Sequence, residues 1–131
     1  MLKLPSRIES VDEAAIKAEE FAKAQGLNDD LVSAIDLAIR ESVANAVKHG
    51  NKFAEAKTVD VTFATTDEGF EITVRDYGTG FAVDEIPDPT NPENILKANG
   101  RGILFMRSFM DVVEWYNPEG GGTAVKMVKR R

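Results

Sequence analysis

Between Thr58 and Thr65 the chain alternates, with Val59, Val61 and Phe63 set against Thr58, Asp60 and Thr62, which predicts a half-buried strand. After the turn "TDEG", Phe70, Ile72 and Val74 repeat the alternation, and the two runs predict an antiparallel hairpin. Two more strands, "DVVEWYN" and "TAVKMVK", flank the turn "PEGGG". Ahead of the hairpin the chain reads as helix. "SVDE" predicts a start, with Ser10 as N-cap and Glu13 completing a capping box, for a helix over about 10–25 that stops at Gly26. Asn28 predicts the cap of a second helix, which Asp29 and Asp30 suit through the helix dipole. This helix runs to His49, with Gly50 as its stop. Residues 2–9 predict a short strand that Pro5 confines to a sheet edge. A short helix, "ILFMRSFM", follows "GRG". The order β-α-α-β-β-α-β-β predicts an α/β (α+β) two-layer sandwich, a mostly antiparallel sheet with helices on one face. No repeat or internal boundary interrupts it, so residues 1–131 read as a single domain.

Two features break this pattern. The segment Leu31 to Lys48 is largely apolar, yet Glu41, Asn45 and Lys48 fall at i, i+4 and i+7, on one helical face among Ala34, Leu37, Ala38 and Ala44. The second feature is "AVDEIPDPTNPENILKANG", which holds three of the five prolines and reads as a lid over about 82–99 or a linker. A glycine pair stands on each side of it: Gly78 and Gly80 in "DYGTGF", Gly100 and Gly102 in "NGRGI". The second pair opens a helix, where free N–H groups and the dipole favour a phosphate. Neither pair forms a Walker A loop or a Rossmann fingerprint, and the signatures of eukaryotic-type protein kinases are missing.

Composition narrows the classes. With 43% hydrophobic and 29% charged residues the chain is an ordinary globular one, and its net charge of −6 argues against a nucleic-acid binder. The basic ending "KMVKRR" reads as a solubilising terminus. No cysteine is present, so disulfide and thiolate chemistry are excluded, and a single histidine among scattered carboxylates makes no zinc site. No signal peptide is visible, and no apolar run approaches the roughly 20 residues that span a bilayer. A soluble, cytoplasmic protein is expected.

Singly, each polar candidate has an ordinary explanation. Glu41 and Lys48 could be solvated, although the clearest polar edge of the helix is Ser33, Asp36 and Arg40. Asn45 could be a tolerated surface residue, His49 a helix end, Asp76 a turn cap and Thr123 a plain strand residue. Together they are better explained by a resemblance. "ESVANAVKHGN", "DYGTGF", "NGRGILFM" and "GGT" resemble, in order and rough spacing, the N, G1, G2 and G3 boxes of the Bergerat-fold (GHKL) ATPases. Within that superfamily the chain most resembles the bacterial anti-sigma-factor serine/threonine kinases. The length, the Glu41-to-Asn45 form of the N box and "MDVVEWYNPEGGGTAV" point to that branch.

The resemblance implies a Bergerat ATP-binding fold and a Mg-ATP-dependent protein kinase. Asn45 would ligate Mg²⁺, which needs few protein ligands when phosphates supply the rest. Asp76 would accept a hydrogen bond from the adenine amino group, supported by Thr123, with Gly78 and Gly80 passing beside the base. Gly100, Arg101, Gly102 and Ile103 would offer backbone N–H groups to the phosphates. Glu41 would be the general base. One rigid helix would thus aim base and metal at the same γ-phosphate, with Ala34, Ala38 and Ala44 leaving room beside them. Lys48, His49 and Asn51 receive no role. The implied partners are a STAS-domain anti-anti-sigma protein, phosphorylated on serine, and a sigma factor; a homodimer is expected, without nucleic-acid or membrane contact. The competing reading is a non-catalytic, ATP-gated binding module. A detached histidine-kinase catalytic domain is a third, disfavoured because no dimerisation helix with a phosphoacceptor histidine precedes the site.

Overall fold

Two helices cover one face of a five-stranded antiparallel sheet in the computed structural model, which describes residues 2–54, 56–78 and 109–130. Strand β1 (Leu2–Pro5) leads through a short turn into α1 (Glu9–Ala24) and α2 (Asp29–Asn45). The hairpin β2 (Thr58–Thr66) and β3 (Gly69–Arg75) follows, and then β4 (Val112–Tyr116) and β5 (Ala124–Lys129). Across the sheet the strands run β1-β2-β3-β5-β4, every pair antiparallel. The expected helix after "GRG" and the expected lid over 82–99 lie outside the described residues.

Alternation decides which face is covered. Val59 and Val61 of β2, Phe70, Ile72 and Val74 of β3, and Val125 and Met127 of β5 are buried beneath the helices. Helix α1 gives this core mainly alanines, Ala14, Ala15, Ala18 and Ala22, so its backbone lies close to its neighbours. Helix α2 gives larger side chains, Val32, Ile35, Ile39 and Val43. Phe21 packs on Phe63 and Phe70 at centroid distances of 5.7 and 5.4 Å, which adds aromatic contacts to apolar burial. Arg40 pins the outer faces of the helices together, donating to Asp12 on α1 at 2.6 Å and to Asp36 one turn earlier. The polar edge expected at Asp36 and Arg40 is therefore a bridge between helices. Ala38, expected beside the nucleotide, is fully buried in the core.

The helix ends hold two further corrections. Asn28 caps α2 as expected, accepting from Leu31 N at 2.9 Å, and Gly26 ends α1 at φ +79°. Ser10, however, is no N-cap. Helix α1 begins one residue earlier, and the Ser10 hydroxyl donates to Pro5 O at 2.6 Å, tying the helix to the end of β1. Nor does Gly50 stop the second helix. Beyond Asn45 the helix widens into a π-turn, Ala46–Gly50, closed by Asn51 N donating to Ala46 O at 2.8 Å. The chain reverses only at Lys52 and Phe53, with φ of 50° and 60°.

Candidate nucleotide-binding site

Asp76 leaves the end of β3 and is 7% exposed. Its backbone N–H donates to Thr123 O at 2.9 Å, continuing the pairing of β3 with β5. Its Oδ1 accepts from Gly78 N at 3.0 Å and from Thr123 N at 3.3 Å. Burial pushes this carboxyl above the usual carboxylate range; the two N–H donors, Lys57 and Arg75 oppose the shift without cancelling it. The Thr123 hydroxyl beside it is buried and has no partner among the described residues. A satisfied interior leaves few such groups. An acceptor carboxylate and an orphaned hydroxyl side by side suit a flat ligand with an exocyclic amine.

Glycines make room for this arrangement. A Cβ at Gly50 would overlap the Asp76 carboxyl group, and one at Gly122 would overlap the Asp76 carbonyl oxygen. Gly50, expected as a helix stop, is thus required instead by close approach to Asp76. Gly78 packs as closely on the Gly50 carbonyl. The end of the second helix, the turn after β3 and the start of β5 meet at one carboxylate.

Around this meeting point stand groups to which the box pattern assigns no role. Asn51 is 2% exposed. Its Nδ2 donates to Ser6 Oγ at 2.9 Å and to Thr58 O at 3.0 Å, while its Oδ1 accepts from Tyr77 N at 2.8 Å. The Tyr77 hydroxyl donates to Asp60, which also accepts from Thr58 and Lys3. Burial opposes the charge on Asp60, but these donors outweigh it and hold the carboxyl below the usual range. Arg75 stacks over the Tyr77 ring at 4.5 Å and donates to the Glu119 and Gly121 carbonyls, shaping the loop that delivers Thr123. The signals for Asn51 and Arg75 are faint in the sequence, because Asn51 reaches Ser6 and Tyr77, 45 and 26 residues away, and Arg75 reaches loop carbonyls 44 and 46 residues away.

Glu41 and Asn45 lie one turn apart on α2, both half-buried and without side-chain partners among the described residues. Lys48 and His49 are exposed on the π-turn. The structure brings Asp76, Gly78 and Thr123 together; Gly80, Gly100, Arg101, Gly102 and Ile103 lie outside the described residues. Among the described residues no cluster of three or more His, Cys, Asp or Glu side chains could hold a metal ion. A Mg²⁺ ion here would rest on one protein oxygen plus phosphate and water, a mode this ion accepts.

Residues 4–129 match the histidine kinase-like ATPase domain family. The chain belongs to that family. An anti-sigma F factor of Clostridium perfringens is 34% identical over 100 residues, which cover 73% of this chain and 70% of that protein. The serine-protein kinase RsbW of Listeria monocytogenes is 25% identical over 125 residues, covering 91% and 80%. The anti-sigma-factor kinase branch is therefore the one to which this family member is allied, as the length, the Glu41-to-Asn45 spacing and "MDVVEWYNPEGGGTAV" implied. In fold it is similar to the histidine kinase domain of the blue-light activated histidine kinase of Erythrobacter litoralis, with a TM-score of 0.53 and 22% identity over 77% of this chain and 45% of that one. That likeness agrees with the α/β architecture of an antiparallel sheet under helices. Among the described residues, no helix is long and apolar enough to cross a membrane.

Proposed function

We propose that this protein binds Mg-ATP and transfers the γ-phosphoryl group to a serine of a STAS-type anti-anti-sigma protein, and that it sequesters a sigma factor. The observation that carries the proposal is the buried Asp76 carboxylate beside the unpartnered Thr123 hydroxyl, at the position the family uses for adenine. The names of its relatives, anti-sigma F factor and serine-protein kinase, support both halves of the activity. A homodimeric, cytoplasmic protein is part of the same reading.

Each residue then has a task. Asp76 accepts from the adenine amino group, and Thr123 bonds the base directly or through one water. Gly78 and Gly80 would keep the wall beside the base free of side chains, and Gly100, Arg101, Gly102 and Ile103 would offer backbone N–H groups to the phosphates. Asn45 would hold Mg²⁺ through its amide oxygen, and the ion would supply neutralisation of the phosphate charge. Glu41 takes the proton from the attacking serine hydroxyl as its oxygen bonds to phosphorus and the bond to ADP breaks. Phosphoryl transfer asks a protein mainly for such positioning and charge balance.

Glu41→Gln tests the proposal, since glutamine keeps shape and helix propensity but cannot accept the proton. Single-turnover phosphorylation of the antagonist falls by about 10²- to 10⁴-fold, the usual contribution of a placed general base. Mg-ATP affinity on the same preparation stays as in wild type. Unchanged phosphorylation removes Glu41 from the mechanism. A wild-type protein that holds its partners with ATP yet phosphorylates none of them is a nucleotide-gated binding module instead.

A further inference from the structure

We infer that Asn51 is a positioning residue for nucleobase recognition, holding the peptide after Asp76 so that its carboxylate meets the adenine amino group. The inference rests on the proposal that Asp76 receives adenine, and it gives a role to a residue that the box pattern leaves without one.

The geometry isolates the peptide between Asp76 and Tyr77. Its N–H is held by Asn51 Oδ1 at 2.8 Å. Its carbonyl oxygen abuts Gly122, where no Cβ could be accommodated. With both sides of the plane fixed, the direction in which the Asp76 side chain leaves the backbone is fixed too. The other end of Asn51 is anchored in separate parts of the fold, with Nδ2 on Ser6 between β1 and α1 and on Thr58 at the start of β2. Both amide protons and the carbonyl oxygen are engaged, and of the polar side chains this size only an amide offers two donors and an acceptor in this fork.

The π-turn explains how Asn51 reaches that place. A regular helix would pair Asn51 N with Val47 O; here it pairs with Ala46 O, and Val47 O accepts from Phe53 N at 2.9 Å instead. The extra residue in the turn rotates Asn51 inward and sets Gly50 against the Asp76 carboxylate. Such widened turns recur at functional sites, where they re-aim a side chain. Neighbouring residues therefore serve one end: Gly50 clears space for the carboxylate and Asn51 aims it.

A residue that merely cements the fold would weaken every ligand alike. Binding of ATP is therefore compared by calorimetry with binding of purine riboside triphosphate, which lacks only the 6-amino group. Wild type prefers ATP by about tenfold, as expected for one hydrogen bond to a charged acceptor. In Asn51→Ala this preference falls to about twofold or less, while purine riboside triphosphate binds within about twofold of wild type. Asn51→Asp keeps an acceptor for Tyr77 N but loses both donors, so it melts at a lower temperature yet retains the preference. Equal loss of both ligands in the alanine variant, or an undiminished preference, overturns the inference. If the alanine variant does not fold, the aspartate variant decides: loss of the preference with the acceptor still present overturns it, and retention supports it. A wild type without any preference overturns the Asp76 assignment itself and this inference with it, and so separates that failure from the others.

Discussion

Asp76 is placed against its own comfort. The fold buries it, gives one of its oxygens two backbone donors, and still leaves its pKa raised. A buried carboxyl with a raised pKa in a cleft is a candidate for binding or catalysis. Asp76→Asn should bear this out by separating binding from stability. The amide oxygen still accepts from Gly78 and Thr123, so the melting temperature at neutral pH does not fall. Its NH₂, however, faces the adenine amino group with a donor, and ATP affinity measured by calorimetry drops about tenfold or more. Asp76 and Thr123 stand out in the sequence as candidates because each sits in a short box with glycines close by. Asn51 was not, because one asparagine after a helix looks like any other, and its worth appears only when Ser6, Thr58 and Tyr77 converge on it.

Among the described elements, β2 and β3 are legible from their alternation and the two long helices from their caps and stops, and the errors cluster at element ends. Ser10 has the residue type and spacing of a capping box, yet its hydroxyl does better by binding the last carbonyl of β1. Local sequence offers both partners, and only the packed β1–α1 corner selects between them. Asn28 has no such competitor and caps α2. Asn28→Ala therefore lowers stability to chemical denaturation by about 1 kcal/mol, the usual cost of a lost cap, with nucleotide binding unchanged. Gly50 was misread for a related reason: a glycine after a helix is ordinarily its stop, and the carboxylate it makes room for is 26 positions further along the chain.

Across the whole molecule, two buried carboxylates respond to acid in opposite senses. Asp60 has a lowered folded pKa, so its contribution to stability is complete above the ordinary carboxylate value and is lost only as pH falls through the lower one. Asp76 has a raised folded pKa; its charge costs stability above that value, and the cost fades as pH falls through it. On acidification from neutral pH, Asp76 takes its proton first. Calorimetry and thermal melting along one pH series should therefore show ATP affinity falling while the fold persists. Loss of the Asp60 bonds to Lys3, Thr58 and Tyr77 follows at lower pH and loosens the β1–β2 edge. Melting and binding that decline together would contradict this order.

The register of β3 against β5 has a consequence for the order in which the molecule comes into being. Asp76 is completed by Thr123, 47 residues later, across a pairing that closes only after β5 has left the ribosome. A nascent chain that has made both helices and the β2–β3 hairpin owns most of the hydrophobic core, but its Asp76 still lacks Thr123. Nucleotide therefore cannot shepherd the early stages of folding. On the proposed assignment it acts only at the end, by mass action on the completed sheet, and stabilises chains that have already threaded their last strand.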